Sequence, residues 1–313
     1  MRRGRWAVGL LLCVICFLLP LRAKAEEAHA MTDFEQQIVE TGLRLLPYDH
    51  PFVLAYEKAH GVDIDSYVAQ IKGVTVSGVP FQFGGNGRIS GFGENWWAST
   101  GDAQYPVRGL DCAEYIAWIY YQLGYTVNDS SAGQFLSGVS GVPRKLPGVR
   151  EHLVIPSFEE AMIGDVAYNS QNYSYRSGHG SHTQLYIGTA RKLGLVEALQ
   201  EYWPDFPPDA HLVLECGWSD GRYYYDLMKK LKVRHARSSL AGVGVQFFTS
   251  VKSGKQTLYQ CPNGVFKWQN PDTGHTFRIE SRLEAQKRPL QYKAKSGIEN
   301  IINLSRPIIR PDE

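Results

Sequence analysis

The feature that most constrains this chain is a dense apolar segment with a cysteine directly before it. Over residues 113–124 (AEYIAWIYYQLG) the apolar spacing is typical of a largely buried helix, and Gly124 is a good C-cap. Short strands follow from Gly164 onwards, at 165–168, 182–189 and 211–216. A buried helix followed by several antiparallel strands predicts the α+β fold class.

The N-terminal part of the chain is predicted to be a small helical unit over residues 26–75. Thr32-Asp33 followed by Glu35-Gln36 resembles a helix N-cap. Prolines break the pattern after this helix, and a second helix is expected over residues 53–60. A third short helix is expected to begin at Asp65.

The first 25 residues have the composition of a secretory signal. A positive start is followed by an apolar run over residues 6–21 and by the cleavage pattern Ala23-Lys24-Ala25, with Ala28-His29-Ala30 as a second choice. The alternative is an uncleaved membrane anchor, but the run is short beside the ~20 residues that a span needs. We expect residues 1–25 to be removed. The mature protein is then secreted, periplasmic or cell-wall associated, with no stable membrane insertion.

Charge argues against general nucleic-acid binding. The chain has 33 basic and 31 acidic residues, and five of the basic ones lie in the predicted signal. The mature chain therefore carries 28 basic residues against 31 acidic ones, a net charge of −3. A slightly acidic protein is poorly suited to bind a polyanion without sequence preference. We expect no nucleic-acid partner.

The cysteines indicate at least one free thiol. Cleavage of the signal leaves Cys112, Cys216 and Cys261. With three cysteines in an exported chain, at most one disulfide can form and one thiol stays free. If Cys112 is the free thiol, the other two are available to form a disulfide.

Cys112 is also the first candidate for catalysis. A thiol at a helix N-terminus lies at the positive end of the helix dipole, which favours the thiolate. His182 opens a predicted strand about seventy residues later, and a single cysteine with a distant histidine is the pattern of a cysteine nucleophile and its base. The alternative is that Cys112 is simply a small buried apolar residue.

Four short motifs occur in a fixed order around these two residues. They are Val79-Pro80-Phe81-Gln82-Phe83-Gly84-Gly85, then Gly109-Leu110-Asp111-Cys112, then Gly164-Asp165-Val166, and then Ser181-His182-Thr183-Gln184-Leu185-Tyr186-Ile187-Gly188. In this order they resemble the NlpC/P60 family, and residues 304–309 are similar to its closing strand. The stretch of about 221–298 has no counterpart and is interpreted as an insertion within a catalytic domain over residues 76–313. It contains a basic, helix-like segment at 226–237.

The resemblance implies a papain-like α+β core with the nucleophile at a helix N-terminus packed on an antiparallel sheet. It implies hydrolysis of amide bonds in peptidoglycan stem peptides, next to D-γ-glutamate, without cofactor or metal. By motif position, Cys112 corresponds to the nucleophile and His182 to the base. Asp111 corresponds to the acid that helps hold the free amine of the substrate, and Phe83 to an aromatic wall of the cleft.

The sequence departs from the family after the nucleophile and before the aromatic wall. Ala113 and Glu114 replace the family's serine and glycine, and Phe81 replaces its tyrosine. These changes bear on the substrate. Two other functions therefore stay open: an amidase or acyltransferase that acts on another small amide, and an inactive wall-binding module.

The residue that orients the histidine has two candidates. The base needs a partner on its second ring nitrogen, which fixes its tautomer. Glu215 fits a predicted strand, whereas Glu197 fits the family spacing better but falls in a predicted helix over 192–203. We therefore expect Glu215 to orient His182. A zinc site built from His179, His182 and Cys216 is the other interpretation of these residues, and their spacing matches no standard closed site.

Overall fold

The computed structural model describes residues 31–82, 107–125, 149–155, 158–169, 182–233, 242–253, 256–260, 266–279 and 303–309. The predicted signal at residues 1–25, Phe83 and Cys261 lie outside these ranges. The described chain has an α+β fold, which confirms the predicted class. Its helices are α1 (Asp33–Leu43), α2 (Pro51–His60), α3 (Cys112–Gln122), α4 (Val196–Tyr202) and α5 (Gly221–Lys230).

The described strands form one large sheet and two hairpins. The strands are β1 (Val68–Ile71), β2 (Val74–Ser77), β3 (Val149–Ile155), β4 (Val166–Asn169), β5 (His182–Thr189), β6 (His211–Ser219), β7 (Gly242–Ser253), β8 (Gln256–Gln260), β9 (Phe266–Gln269), β10 (Thr276–Ile279) and β11 (Asn303–Ile309). Seven of them form an antiparallel sheet in the order β3-β11-β4-β5-β6-β7-β8. The other four pair as β1 with β2 and β9 with β10.

Helix α3 packs against the middle of this sheet, on β5 and β6. Its residues 113–120 are all buried, as the dense apolar spacing predicts. Tyr115 and Tyr120 each bring a hydroxyl group into the interior. Tyr115 Oη donates to the carbonyl of Gly42 at 2.9 Å, and Tyr120 Oη donates to that of Gly164 at 2.6 Å. These bonds remove the cost of burying the hydroxyl groups and tie α3 to α1 and to the turn before β4.

Helix α1 begins with the predicted N-cap. The hydroxyl group of Thr32 accepts from the backbone N–H of Glu35, whose carboxylate accepts from the N–H of Thr32, which is a capping box. Helix α2 begins with Pro51 at its first position and ends at Gly61 in the left-handed conformation. Both helices contribute to the same hydrophobic core as α3 and the large sheet.

The predicted third helix at Asp65 is wrong. Residues 68–77 form the β1–β2 hairpin instead. Its turn is Lys72-Gly73, and both residues have positive φ angles, 51° and 75°. This is the geometry of a two-residue turn that matches the twist of antiparallel strands. Three consecutive β-branched residues, Val74-Thr75-Val76, favour a strand over a helix, and the tight turn before them pairs this strand with β1.

The predicted helices at 192–203 and 226–237 are displaced. The first is shorter, because residues 190–194 form turns before α4 begins. The second begins earlier and ends at Lys230, with Lys232 in the left-handed conformation just beyond it. A residue with positive φ cannot continue a right-handed helix, so α5 stops there.

The stretch predicted as an insertion is built into the fold. Strand β7 pairs with β6 along most of its length, and β8 extends the sheet beyond it. Helix α5 lies against the β9–β10 hairpin. Phe277 of this hairpin stacks on Tyr223 of α5, with ring centroids 5.1 Å apart. In the described part of the chain, no helix combines the length and the apolar character that a membrane crossing requires.

Candidate active site

Cys112 is the first residue of α3, and its side chain is half-buried. Asp111 caps the helix: its Oδ1 accepts from the N–H groups of Ala113 at 3.0 Å and of Glu114 at 2.9 Å. The carboxylate of Glu114 accepts in turn from the N–H of Asp111 at 3.1 Å. Glu114, which stands where the NlpC/P60 pattern has glycine, thus completes a capping box. This capping box fixes the residue at which the helix begins. The thiol is held at the N-terminus as predicted.

The first two motifs are neighbours in space. Phe81 and Leu110 form a parallel bridge, in which Gln82 N–H donates to Leu110 O at 2.9 Å and Leu110 N–H donates to Pro80 O at 3.1 Å. The approach needs a glycine, because a Cβ atom at Gly109 would lie 2.0 Å from Pro80 O. The segment that precedes the nucleophile is therefore fixed against the segment that leads to Phe83.

His182 opens β5 beside the start of α3. It is 8% exposed. Its Nε2 atom forms a short hydrogen bond with Oε2 of Glu215, and the Cys112 side chain lies close enough to act on the ring electrostatically. Because Nε2 faces the glutamate, Nδ1 is the ring nitrogen left for the thiol. The structure therefore brings together the three residues predicted to act in catalysis, with the imidazole and the carboxylate in direct contact.

The Glu215 carboxylate is 1% exposed and accepts from four side chains. Oε2 accepts from His182 and from Gln184 Nε2, the latter at 3.5 Å. Oε1 accepts from Ser219 Oγ at 2.5 Å and from Gln246 Nε2 at 2.6 Å. An ionised carboxylate has about four acceptor positions. The surrounding donors fill them, which offsets the cost of burying a charge.

Gln184 and Gln246 also bind each other. Gln184 Nε2 donates to Gln246 Oε1 at 2.9 Å. Since this bond uses the amide oxygen of Gln246, its NH₂ group must point at Glu215. The two glutamines therefore come from the strands on either side of β6 and fix each other's orientation across the carboxylate.

The electrostatics favour a charged pair of histidine and glutamate. Burial by itself would lower the pKa of His182, but the charges of a Cys112 thiolate and of Glu215, with their hydrogen bonds, raise it to about 10. Burial by itself would raise the pKa of Glu215, but the His182 charge and the hydrogen bonds from its neighbours lower it. The arrangement therefore stabilises an imidazolium between two anions.

Gly217 makes room for the imidazole ring. A Cβ atom at this position would lie 2.8 Å from Cε1 of His182 and 3.3 Å from Oε2 of Glu215. Such contacts are too close for carbon atoms, so any side chain here must displace the ring or the carboxylate. Only a glycine fits beside the contact between His182 and Glu215.

The other predicted site residues fall in different places. Glu197 is exposed on α4, whereas Glu215 contacts the histidine. Asp111 lies beside Cys112 and caps the helix, a role that the sequence interpretation missed. Phe83 lies outside the described residues. Cys216 is a buried free thiol whose Sγ donates to Leu110 O at 3.1 Å, and Cys261, its possible disulfide partner, lies outside the described residues. Burial raises the pKa of Cys216, which keeps it as a thiol.

The sequence interpretation also missed three neighbours of Glu215, namely Gln184, Ser219 and Gln246. Gln184 lies inside the quoted histidine motif, and Ser219 lies four residues after the glutamate. Gln246 lies in the stretch interpreted as an insertion and has no local signal. Among the residues that the structure describes, no group of three histidine, cysteine or acidic side chains is arranged to hold a metal ion. Comparison with protein-family models, with curated proteins and with solved structures finds no match to this chain.

Proposed function

We propose that this protein is an exported cysteine peptidase in which Cys112 is the nucleophile, His182 its base and Glu215 the residue that orients the base. One observation carries the proposal. A half-buried thiol at a helix N-terminus interacts electrostatically with an imidazole ring, and the same ring is hydrogen bonded to a buried carboxylate. Nucleophile, base and orienting group in contact are the signature of covalent catalysis.

The proposed reaction begins with proton transfer from the Cys112 thiol to His182. The thiolate attacks the amide carbonyl carbon, and the carbonyl oxygen becomes an oxyanion. Two of the first three N–H groups of α3 already donate to Asp111, so the N–H of Cys112 is the candidate oxyanion donor. The imidazolium then protonates the leaving amine, which departs and leaves a thioester on Cys112. His182 next takes a proton from water, whose oxygen attacks the thioester and releases the carboxylate product and the thiol.

The peptidase is proposed to be of the NlpC/P60 type with a papain-like core. Three observations support this: α3 packs on an antiparallel sheet, His182 lies on the strand beside it, and β11 pairs with β4 as a closing strand. The resemblance then implies amide bonds of peptidoglycan stem peptides, next to D-γ-glutamate, as the substrate. Asp111, which lies beside the nucleophile, is the proposed contact for a free substrate amine. Phe83 is the proposed aromatic wall.

The test is digestion of purified peptidoglycan followed by mass spectrometry of the fragments. New amine and carboxyl ends within the stem peptide, absent with Cys112→Ala, are the expected result. A product that carries an acceptor other than water identifies an acyltransferase. If a thiol-reactive electrophile does not label Cys112 and no fragment appears, the protein is an inactive binding module. Sequencing the N-terminus of the exported protein tests the start near Glu26 or Met31.

A further inference from the structure

We propose that the cavity between α5 and the β9–β10 hairpin is a second binding site, one for the phosphate group of a small molecule. The cavity has a volume of about 430 Å³, and its wall includes Lys229, Lys230, Asp226, Tyr223 and His275. This volume lies in the range of small-molecule sites. None of these side chains belongs to the proposed peptidase site, so the inference does not depend on the proposed function.

The cavity wall is positively charged. Lys229 and Lys230 are exposed in the last turn of α5, and within the described ranges neither forms an ion pair. The acid in the wall, Asp226, is paired with Arg222 at 2.7 Å. Lysines in this position also complement the helix dipole. Interaction with the helix dipole, however, does not account for the cavity or for the fixed histidine on its opposite wall.

The histidine in the wall is fixed from behind. His275 Nδ1 lies 2.8 Å from Oδ2 of Asp49, and Thr273 Oγ1 donates to the same oxygen at 2.5 Å. The edge of the ring also meets Tyr223, with centroids 5.1 Å apart and planes at 89°. With Nδ1 engaged, Nε2 is the ring nitrogen available to a ligand. A carboxylate that holds one nitrogen of a histidine fixes the direction of the other.

This arrangement is costly for the fold. Asp49 is 2% exposed, and its Oδ1 has no hydrogen-bond partner among the described residues. An unsatisfied oxygen on a buried carboxylate destabilises a protein. A hydrophobic contact between the hairpin and α5 needs no such group. The energetic cost of burying Asp49 is explained if Asp49 holds the His275 ring in the orientation that binds a ligand.

A phosphate group fits these donors better than a carboxylate does. It presents three or four oxygen atoms on one centre, so it can accept from two ammonium groups at once. It also satisfies His275 in either protonation state, because it accepts from an N–H or donates its own P–OH to a bare nitrogen. A carboxylate has two oxygens and, when ionised, no proton to donate.

The experiment titrates inorganic phosphate into the ¹⁵N-labelled full chain at constant ionic strength, with chloride as the balancing ion. Amide signals of the last turn of α5 and of residues 273–276 should shift and saturate. The double variant Lys229→Gln/Lys230→Gln should weaken binding at least about tenfold, the scale for losing one charged hydrogen bond. Lys267→Gln removes the same charge from an exposed position on β9 outside the cavity and should bind as the wild type does.

Three results would overturn the proposal. The first is a shift that grows linearly without saturation. The second is an equal loss in Lys267→Gln, which would mean that phosphate merely screens surface charge. The third is failure of glycerol 3-phosphate to bind, since the ligand is proposed to be a phosphorylated small molecule. Cys112→Ala should bind phosphate unchanged, so loss of peptidase activity and loss of this site are separate outcomes.

Discussion

Gln246 Nε2 donates a 2.6 Å hydrogen bond to Oε1 of Glu215 from the neighbouring strand. The residue that contacts the proposed base is thus itself held by a residue more than thirty positions away. A catalytic carboxylate with free rotation would hold the imidazole poorly, and rotamer freedom here is removed by the four donors around it. The site therefore includes a supporting shell, and each part of it makes a separate prediction.

Replacing Cys112 by alanine should abolish hydrolysis and leave the fold intact. The expected loss of rate is at least ~10³-fold, the scale for removing a nucleophile from a catalytic unit. The measurement is turnover of peptidoglycan fragments, with circular dichroism as the control for folding. Turnover retained in this variant would show that another residue attacks the substrate.

Replacing Glu215 by alanine should lower the rate clearly, but less than Cys112→Ala does, because the nucleophile and base remain. Glu197→Ala is the matched control: it removes the same group from an exposed position on α4 and should behave like the wild type. Comparing the rates of both variants on one substrate shows which glutamate orients His182. The reverse order of effects would make Glu197 the orienting residue.

Gln246 should position Glu215, and two substitutions distinguish this role from simple packing. Gln246→Leu keeps the bulk but removes a donor, and it should cost about 1–3 kcal/mol of stability with a lower kcat. Gln246→Glu keeps the shape but places a second carboxylate against Glu215, so it should reduce kcat further. Gln70→Leu, at an exposed position on β1, controls for loss of an amide. If Gln246→Glu is as active as the wild type, Gln246 has no such role.

The pKa of His182 should fall in Cys112→Ala, because the variant removes one of the two anions that raise it to about 10. A ring titration by NMR measures this directly. In the wild type, the protonated His182 ring contributes to the free energy of unfolding. This contribution is complete below pH 6.5, the ordinary pKa of histidine, and is lost as the pH rises through about 10, the pKa of His182 in the folded protein. The activity profile should be bell-shaped, and its basic limb should report loss of the imidazolium proton. A His182 pKa that is the same with and without the thiol would contradict the ion pair.

Gly217→Ala should reduce activity more than stability. The added methyl group overlaps the imidazole ring, so the ring must move away from Glu215 or from the thiol. Gly194→Ala is a useful comparison, because a Cβ atom there meets nothing within 4 Å, although its positive φ strains any side chain. Comparing kcat with the thermal midpoint for each variant separates the two effects. A Gly217→Ala protein with normal kcat would show that the ring has room to spare.

Local signals predicted the parts of the site that local structure creates. The apolar segment after Cys112 predicts the helix that carries the thiol, and the strands predicted at 182–189 and 211–216 carry His182 and Glu215. Gln246 was missed because it reaches the site only through the pairing of β7 with β6. That pairing depends on the whole sheet, and no short pattern around Gln246 encodes it.

The β1–β2 hairpin was missed for a different reason. Its turn has Lys72 at a position where Asn, Asp or Gly is usual, so the turn gave no recognisable signal. The helix expected there was inferred from a weak pattern that the strands replaced. The hairpin in this region was therefore missed because its turn contains a residue that is unusual at that position.

The place of β11 has a consequence for how the chain is made. Residues near the C-terminus fill a gap inside the sheet, between β3 and β4, rather than adding to its edge. Among the described strands, β3 has no partner in this sheet and β4 has one open side until Asn303–Ile309 has been synthesised. Such unpaired edges are where nascent or shortened chains associate with one another. A product that stops before Asn303 should therefore aggregate rather than fold into a smaller stable protein.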